Sequence, residues 1–314
     1  MEITGCDDAA AEVVRFLQNP NEGYLRAHTS GSTGSPKPIL LSRAEVLRSA
    51  EMTNRFFSIV KESVMVCPLS AEYIAGKMMI VRAWLAGCRL HMLQPSNTPL
   101  SGYSDSDITL LPIVPSMAKG LVENLTVNIK HVIVGGGAPS LSQEDLLANA
   151  HFHAWATYGM TETCSHIALR DITARQTSFT SLPGYRLSTD NRGCLVINDL
   201  IFTNDVVDLH TSNQFTWLGR YDNVIVSGGL KIHPEQIEAQ LRPLLPVDTV
   251  FYVTSRPSEQ WGREAVIVMC EGSLTDEELM NAARRSLPAR IVPKTVIHRS
   301  AEYTPSGKLK RIKF

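Results

Sequence analysis

From Ser42 to Thr157 the apolar residues change period repeatedly, and this alternation restricts the fold more than any other feature of the chain. Short apolar runs at 64–67, 89–93, 131–134 and 152–157 read as strands. Between them, 42–59, 74–85, 114–121 and 140–150 carry helical spacing. Ser42 and Ser140 stand where N-caps belong, and Gly87 follows the second helical stretch. Ahead of this region, 10–17 reads as a helix and 24–28 as a strand. Strands separated by whole helices cannot be joined by tight hairpins, so the pattern predicts a layered α/β sheet.

The character changes near Ser178. Four short β-like segments, 185–187, 194–197, 206–209 and 215–218, are separated by turn residues and predict a small antiparallel sheet or barrel. After Gly219 the mixed pattern returns. A helix is expected over 234–241 with proline in its first turn, strands over 250–253 and 265–270, and a helix over 275–286. Thr275 and Glu278 have capping-box spacing at the start of that last helix. Two domains are therefore expected, 1–220 and 221–314. The small β part at about 178–218 belongs to the first, and a hinge falls at Arg220–Tyr221.

Composition excludes several classes. With 44% hydrophobic and 19% charged residues, the chain can bury a core and is not disordered. A net charge of −1 gives no electrostatic footprint for nucleic acid or anionic membrane. None of the six cysteines forms a C-x-x-C pair, so neither a zinc ribbon nor a thioredoxin motif is present. The first residues have no basic and apolar signal segment. The apolar stretch at 78–88 is interrupted by Arg82 and too short to span a bilayer. A cytoplasmic protein with no membrane insertion and no nucleic-acid partner is expected.

Chemistry enters at TSGSTGSPKP, residues 29–38. Glycine, serine and threonine crowd this segment, and Lys37 follows them. Such a loop can wrap an anion with backbone N–H and hydroxyl groups, although Gly/Ser clusters are more often plain surface loops. The spacing lacks Gly-Lys-Ser/Thr, so it is not a Walker A loop. His151 and His153 stand at strand spacing, but no acidic or cysteine ligand completes a metal site beside them.

Further blocks follow in order: GGGAP at 135–139, TYGMTET at 157–163, Asp205 in TNDVVDL, GRYDNVIVSGGLKIHPEQIE at 219–238 and PSGKLKR at 305–311. Together with the 29–38 loop, this series resembles the adenylate-forming (ANL) superfamily of acyl-CoA synthetases, luciferases and peptide-synthetase adenylation domains. The resemblance spans nearly the whole chain. It implies the ANL fold: a layered α/β sheet, a small β-barrel-like subdomain and a mobile C-terminal α+β domain. Only 28 residues precede the loop, where members carry a longer N-terminal subdomain, so a truncated N-terminal region is expected.

The resemblance also implies an activity, activation of a carboxylate with ATP and Mg²⁺ as an acyl-adenylate, then transfer to CoA. It assigns Thr29, Ser30, Ser32, Thr33 and Lys37 to the β- and γ-phosphates. It assigns Gly136, Gly137, Ala138, Pro139, Tyr158 and Gly159 to the adenine, and Asp205 and Arg220 to the ribose. Thr161 would contact the α-phosphate, Glu162 would ligate Mg²⁺, and Lys308 would be the adenylation lysine. Asp222 would be the hinge, and Ser227, Gly228 and Gly229 would line the thiol channel. Taken singly, Tyr158 reads as core, Glu162 and Asp205 as solvated caps, and Lys308 as part of a basic tail.

Within the superfamily, 68–90 and the terse GGGAP block resemble the o-succinylbenzoate–CoA ligase group of menaquinone biosynthesis. Where that group carries Pro-Leu-Phe-His, this chain has Pro68-Leu69-Ser70-Ala71-Glu72-Tyr73. Tyr73, Lys77 and His166 are the expected acyl-pocket residues, with Arg82 a further cation in reach. Three alternatives stay open: another acyl substrate, a carrier protein in place of CoA, and a non-catalytic nucleotide-binding relative. The family also leaves a homodimer open.

Overall fold

A computed structural model of the chain describes residues 2–28, 38–246, 248–303 and 309–314. It divides into two compact units, Met1–Arg186 and Leu187–Phe314.

The first unit runs β1 (Glu2–Thr4), α1 (Asp8–Gln18), β2 (Tyr24–His28), β3 (Pro38–Ser42), α2 (Arg43–Phe56), β4 (Val64–Cys67), α3 (Ile74–Ala86) and β5 (Arg89–Met92). It continues with β6 (Ile108–Ile113), α4 (Ala118–Glu123), β7 (Ile129–Val134), α5 (Leu141–Ala148), β8 (His153–Gly159), β9 (His166–Asp171) and β10 (Phe179–Ser181). Its main sheet has the order β1-β5-β4-β6-β7-β8-β9-β10. Pairings from β1 through β8 are parallel, and β9 and β10 add antiparallel strands. β2 and β3 form a separate ribbon, with Tyr24 opposite Ser42 and His28 opposite Pro38.

Alternate residues of the parallel strands enter two different cores. Met65, Cys67, Leu110 and Ile133 face one cluster with Phe16, Val46 and Met79 of α1–α3. Val66, Leu111, Val132 and Val134 face the other with Leu121 and Leu147 of α4 and α5. The sheet is thus covered on both faces, as a parallel sheet must be. α3 is buried continuously from Gly76 to Ala83 and ends at Gly87, whose φ of 68° is left-handed. Ser42 and Glu45 form the capping box of α2, and Arg43 donates to the carbonyls of Phe16 and Leu17 at the end of α1 (2.7 and 2.9 Å).

The second unit contains β11 (Leu187–Thr189), β12 (Cys194–Ile197), β13 (Ile201–Thr211) and β14 (Gln214–Arg220), an antiparallel meander. Asn198 and Asp199, with φ of 53° and 56°, form the tight turn between β12 and β13. Then follow β15 (Ile225–Ser227), β16 (Leu230–Ile232), α6 (Pro234–Leu241), β17 (Val250–Ser258), β18 (Gly262–Glu271), α7 (Asp276–Ser286) and β19 (Val296–His298). These last elements share one core, including Ile225, Ile237, Val253, Ile267 and Leu279. α6 is tied to the meander by Gln236, whose amide donates to Trp217 and Leu218 carbonyls (both 3.2 Å).

The expected hinge at Arg220–Tyr221 falls inside the second unit. The packing division and the expected rotation point are therefore different places in the chain. Among the described residues no helix is long and apolar enough to cross a membrane.

Candidate functional site

The parallel strands β6, β7 and β8 end together, at the edge where open α/β sheets bind ligands. Beyond β7, Gly135 donates to Ile113 O (3.0 Å), and Gly136 takes a φ of 77°. Gly136, Gly137 and Ala138 are exposed. Ser140 and Gln143 then cap α5, and Gln143 reaches Pro115 O (2.9 Å). Thr157 of β8 donates to Val134 O (3.0 Å), binding the loop's origin to the neighbouring strand. Tyr158 is half-buried on β8, its ring 5.9 Å from that of Phe179.

Beyond β8 the chain makes a tight passage. A Cβ on Gly159 would lie 2.3 Å from Ser165 O and 2.6 Å from His166 Cα, so only glycine fits. The turn Thr161–Thr163 follows, held by the Thr163 hydroxyl, which accepts from Met160 N (3.0 Å) and lies 2.7 Å from Ser165 O. Thr161 and Thr163 are buried, while Glu162 between them is exposed and makes no ion pair among the described residues. β3 packs beside this turn. Thr29, Ser30, Ser32, Thr33 and Lys37, which precede β3, lie outside the described residues.

Glu162 offers a hard oxygen to Mg²⁺. No group of three or more His, Cys, Asp or Glu among the described residues forms a metal cage. That donor set fits Mg²⁺, which takes one or two carboxylates and completes its shell with waters and phosphates.

Behind the turn lies a buried polar chain. Arg82 of α3 is 2% exposed and donates to Ser165 Oγ at 2.5 Å. Its Nε has no partner, and no carboxylate among the described residues pairs with it. Burial lowers its pKa to about 10, so it is charged at neutral pH. His166 Nδ1 lies 3.4 Å from Ser165 Oγ, and its Nε2 lies 3.1 Å from Thr53 Oγ1. Thr53 donates to Ser49 O (3.1 Å), so Nε2 carries the imidazole proton and Nδ1 accepts from Ser165. Burial first, and Arg82 second, hold His166 well below the usual histidine range, which keeps it neutral.

The other two expected acyl-pocket residues show no hydrogen bond to Arg82, Ser165 or His166 among the described residues. Lys77 is buried and turned toward Glu12 of α1 at 3.9 Å, and Tyr73, the N-cap of α3, is 55% exposed. Sequence reasoning missed Thr53 and Ser165. The one available signal was a charged residue in the otherwise apolar run 78–86.

In the second unit, Asp205 and Arg220 are register partners on β13 and β14. Asp205 is buried, 3.5 Å from Arg220 Nη1, and accepts from Trp217 Nε1 at 3.3 Å. Arg220 Nη2 also approaches Asp222 Oδ2 at 3.6 Å, and Lys313 donates to the Asp222 carbonyl. Gly228 and Gly229, with φ of 54° and 82°, form the two-residue turn that follows Ser227. A Cβ on Gly228 would meet the Trp261 ring at 2.6 Å. Lys308 lies outside the described residues. Three positions on, Arg311 makes a two-pronged pair with Glu238 (2.5 and 2.6 Å). Burial pushes the Glu238 carboxyl up, and Arg311 pulls against it.

An α/β sheet covered on both faces, with a glycine loop, an aromatic strand and an acidic turn beyond its parallel strands, is the arrangement expected of an adenylate-forming enzyme. The chain belongs to the AMP-binding enzyme family, whose model matches residues 8–190. It is similar to 2-succinylbenzoate–CoA ligase of Enterococcus faecalis, at 22% identity over 91% of this chain and 68% of the relative. The enzyme of that name from Salmonella typhimurium is 25% identical over 82% of this chain and 61% of its own length. Among solved structures, an acyl-CoA synthetase (AMP-forming)/AMP-acid ligase II-like protein from Dyadobacter fermentans is 30% identical. It covers 96% of this chain and 92% of its own, with a TM-score of 0.62. The Bacillus subtilis o-succinylbenzoate CoA synthetase with the acyl-adenylate OSB-AMP shares the fold at a TM-score of 0.79. Its identity is 19%, over 90% of this chain and 67% of its own.

Proposed function

We propose that the chain is an ATP-dependent acid–CoA ligase whose acid is o-succinylbenzoate. The observation that carries the substrate is Arg82. A buried guanidinium without a carboxylate is costly, and an anion brought by the substrate relieves that cost. o-Succinylbenzoate has two carboxylates on an aromatic frame. One would meet Arg82 and Ser165, leaving the other to react.

In the first step a carboxylate oxygen attacks the α-phosphorus of ATP, and the bond to the β-phosphate bridging oxygen breaks, releasing pyrophosphate. Thr161 donates to the α-phosphate, and Tyr158 offers its face to the adenine. Asp205 accepts from the ribose hydroxyls with Arg220 beside it. Lys308 places its charge between carboxylate and α-phosphate. Glu162 would hold Mg²⁺, whose positive charge beside the phosphates is the chemistry that ion supplies when bound. In the second step the CoA sulfur attacks the acyl carbon and AMP departs. A rotation about Asp222 separates the steps, exchanging Lys308 for the Ser227-Gly228-Gly229 turn. The reading includes the cytoplasmic location expected from the sequence and leaves a homodimer open.

The test is pyrophosphate release over aryl and alkyl acids, with CoA or a phosphopantetheine carrier protein. Dependence on o-succinylbenzoate and CoA supports the proposal. Equal rates with fatty or simple benzoic acids would refute the substrate, and carrier-only transfer would refute CoA. Lys308→Ala should abolish adenylation while ATP still binds. A wild type that binds ATP and adenylates no acid is a non-catalytic relative.

A further inference from the structure

The two walls of the adenine site belong to different elements. One is the 136–139 loop leading into α5, and the other is Tyr158 on β8. Glu144 stands in the first turn of α5. Its carboxylate holds Arg170 of β9 in a two-pronged pair: Nη1 donates to Oε2 at 3.1 Å, and Nη2 donates to Oε1. The side chains are 12% and 20% exposed, so the pair is poorly screened. Arg170 also donates to Gln176 O (2.9 Å), and its guanidinium lies 5.5 Å from the centre of the Phe179 ring. Phe179 in turn meets the Tyr158 ring at 5.9 Å and an interplanar angle of 59°. A continuous series of contacts thus runs from the loop's helix through Glu144, Arg170 and Phe179 to the Tyr158 ring.

We infer that Arg170 and Phe179 are positioning residues for the nucleotide base: clamped by Glu144, they set the orientation of Tyr158 and its distance from the 136–139 loop. The inference rests on the nucleotide site proposed above. A cation over one ring and a tilted contact between two rings restrict how Tyr158 can turn. A second ion pair from α5, Asp145 with Arg175 at 2.6 Å, joins the same segment, but both side chains are about 60% exposed. It is a natural control, since such pairs contribute little.

The test is equilibrium binding of ATP, GTP and inorganic tripolyphosphate to the full chain and to Arg170→Met, Phe179→Leu and Asp145→Asn. Arg170→Met and Phe179→Leu should weaken ATP about fivefold or more and narrow the preference for ATP over GTP. Tripolyphosphate, which has no base, should bind as before, and Asp145→Asn should match the wild type. In turnover, the loss should fall on the KM for ATP rather than on kcat. Unchanged ATP binding in Phe179→Leu would overturn the inference, as would an equal loss for tripolyphosphate. Phe179→Leu keeps an apolar side chain and decides the matter if Arg170→Met does not fold. A wild type that binds ATP without adenylating any acid overturns the proposed function alone.

Discussion

The buried Arg82 guanidinium and the half-buried Ser165 hydroxyl lie 2.5 Å apart in the first unit. Their sequence separation is 83 residues, and the contact joins the apolar helix α3 to the turn that carries Glu162. A charge held there without a carboxylate is poor for stability and good for recognising an anion. Arg82→Met should therefore separate the two properties. The KM for o-succinylbenzoate should rise about 30-fold or more, the loss of a charged hydrogen bond of about 2 kcal/mol. Thermal stability should hold or rise, because an apolar side chain of similar volume replaces an uncompensated charge. Kinetics and thermal denaturation of one variant check both halves. An unstable variant with normal KM would show that Arg82 is structural.

Two glycines of the proposed nucleotide site should respond differently to alanine. At Gly159 the added Cβ would meet backbone atoms of Ser165 and His166 at 2.3 and 2.6 Å. Backbone cannot step aside cheaply, so Gly159→Ala should cost about 1–3 kcal/mol and displace Thr161 and Glu162 with it. At Gly137 no heavy atom lies within 4 Å of the new Cβ. Gly137→Ala should stay within about 0.5 kcal/mol of the wild type. Chemical denaturation distinguishes the two.

What the residue pattern could reveal was local. Ser42, Ser140 and Thr275 cap the helices expected of them, because a cap needs only its own next three residues. The strands Tyr24–His28, Val64–Cys67 and Cys194–Ile197 and the helix Pro234–Leu241 have the bounds their apolar runs predict. The strand Ile108–Ile113 escaped notice because Pro112 interrupts its pattern, although it lies centrally between β4 and β7. Thr53 could not be read as a partner of His166 at all, since 113 residues separate them. Lys77 and Arg82 share one helix, and only packing decides that the first turns to Glu12 and the second to Ser165.

Acid should weaken the first unit through two histidines. Burial lowers His131 from 6.5 to about 4, with Lys130 and His153 adding to the effect. His166 is lowered in the same direction by burial and Arg82. For both, the unfolded chain binds protons more readily than the folded one. Stability is therefore complete above about pH 6.5 and falls as the pH drops toward about 4. His131→Gln should flatten that slope, as measured by urea denaturation at a series of pH values. An unaltered slope in His131→Gln would mean that other groups carry the acid sensitivity.

The pairing of Asp205 with Arg220 across β13 and β14 predicts how the ribose is read. The Asp205 carboxylate is held on one side by Trp217 Nε1 at 3.3 Å and approached by Arg220 at 3.5 Å. These contacts hold the carboxylate in place, so the ribose hydroxyls would donate to a fixed acceptor. Asp205→Asn keeps the shape and removes the charge, and charge-assisted bonds are roughly twice as strong as neutral ones. The KM for ATP should rise about tenfold, or about 1.4 kcal/mol. The KM for 2′,3′-dideoxy-ATP, which has no hydroxyl to donate, should barely move. The wild type's preference for ATP over the dideoxy nucleotide should therefore collapse in the variant. If both nucleotides weaken together, Asp205 serves the β-sheet rather than the sugar, and the ribose assignment falls while the adenine and phosphate assignments stand.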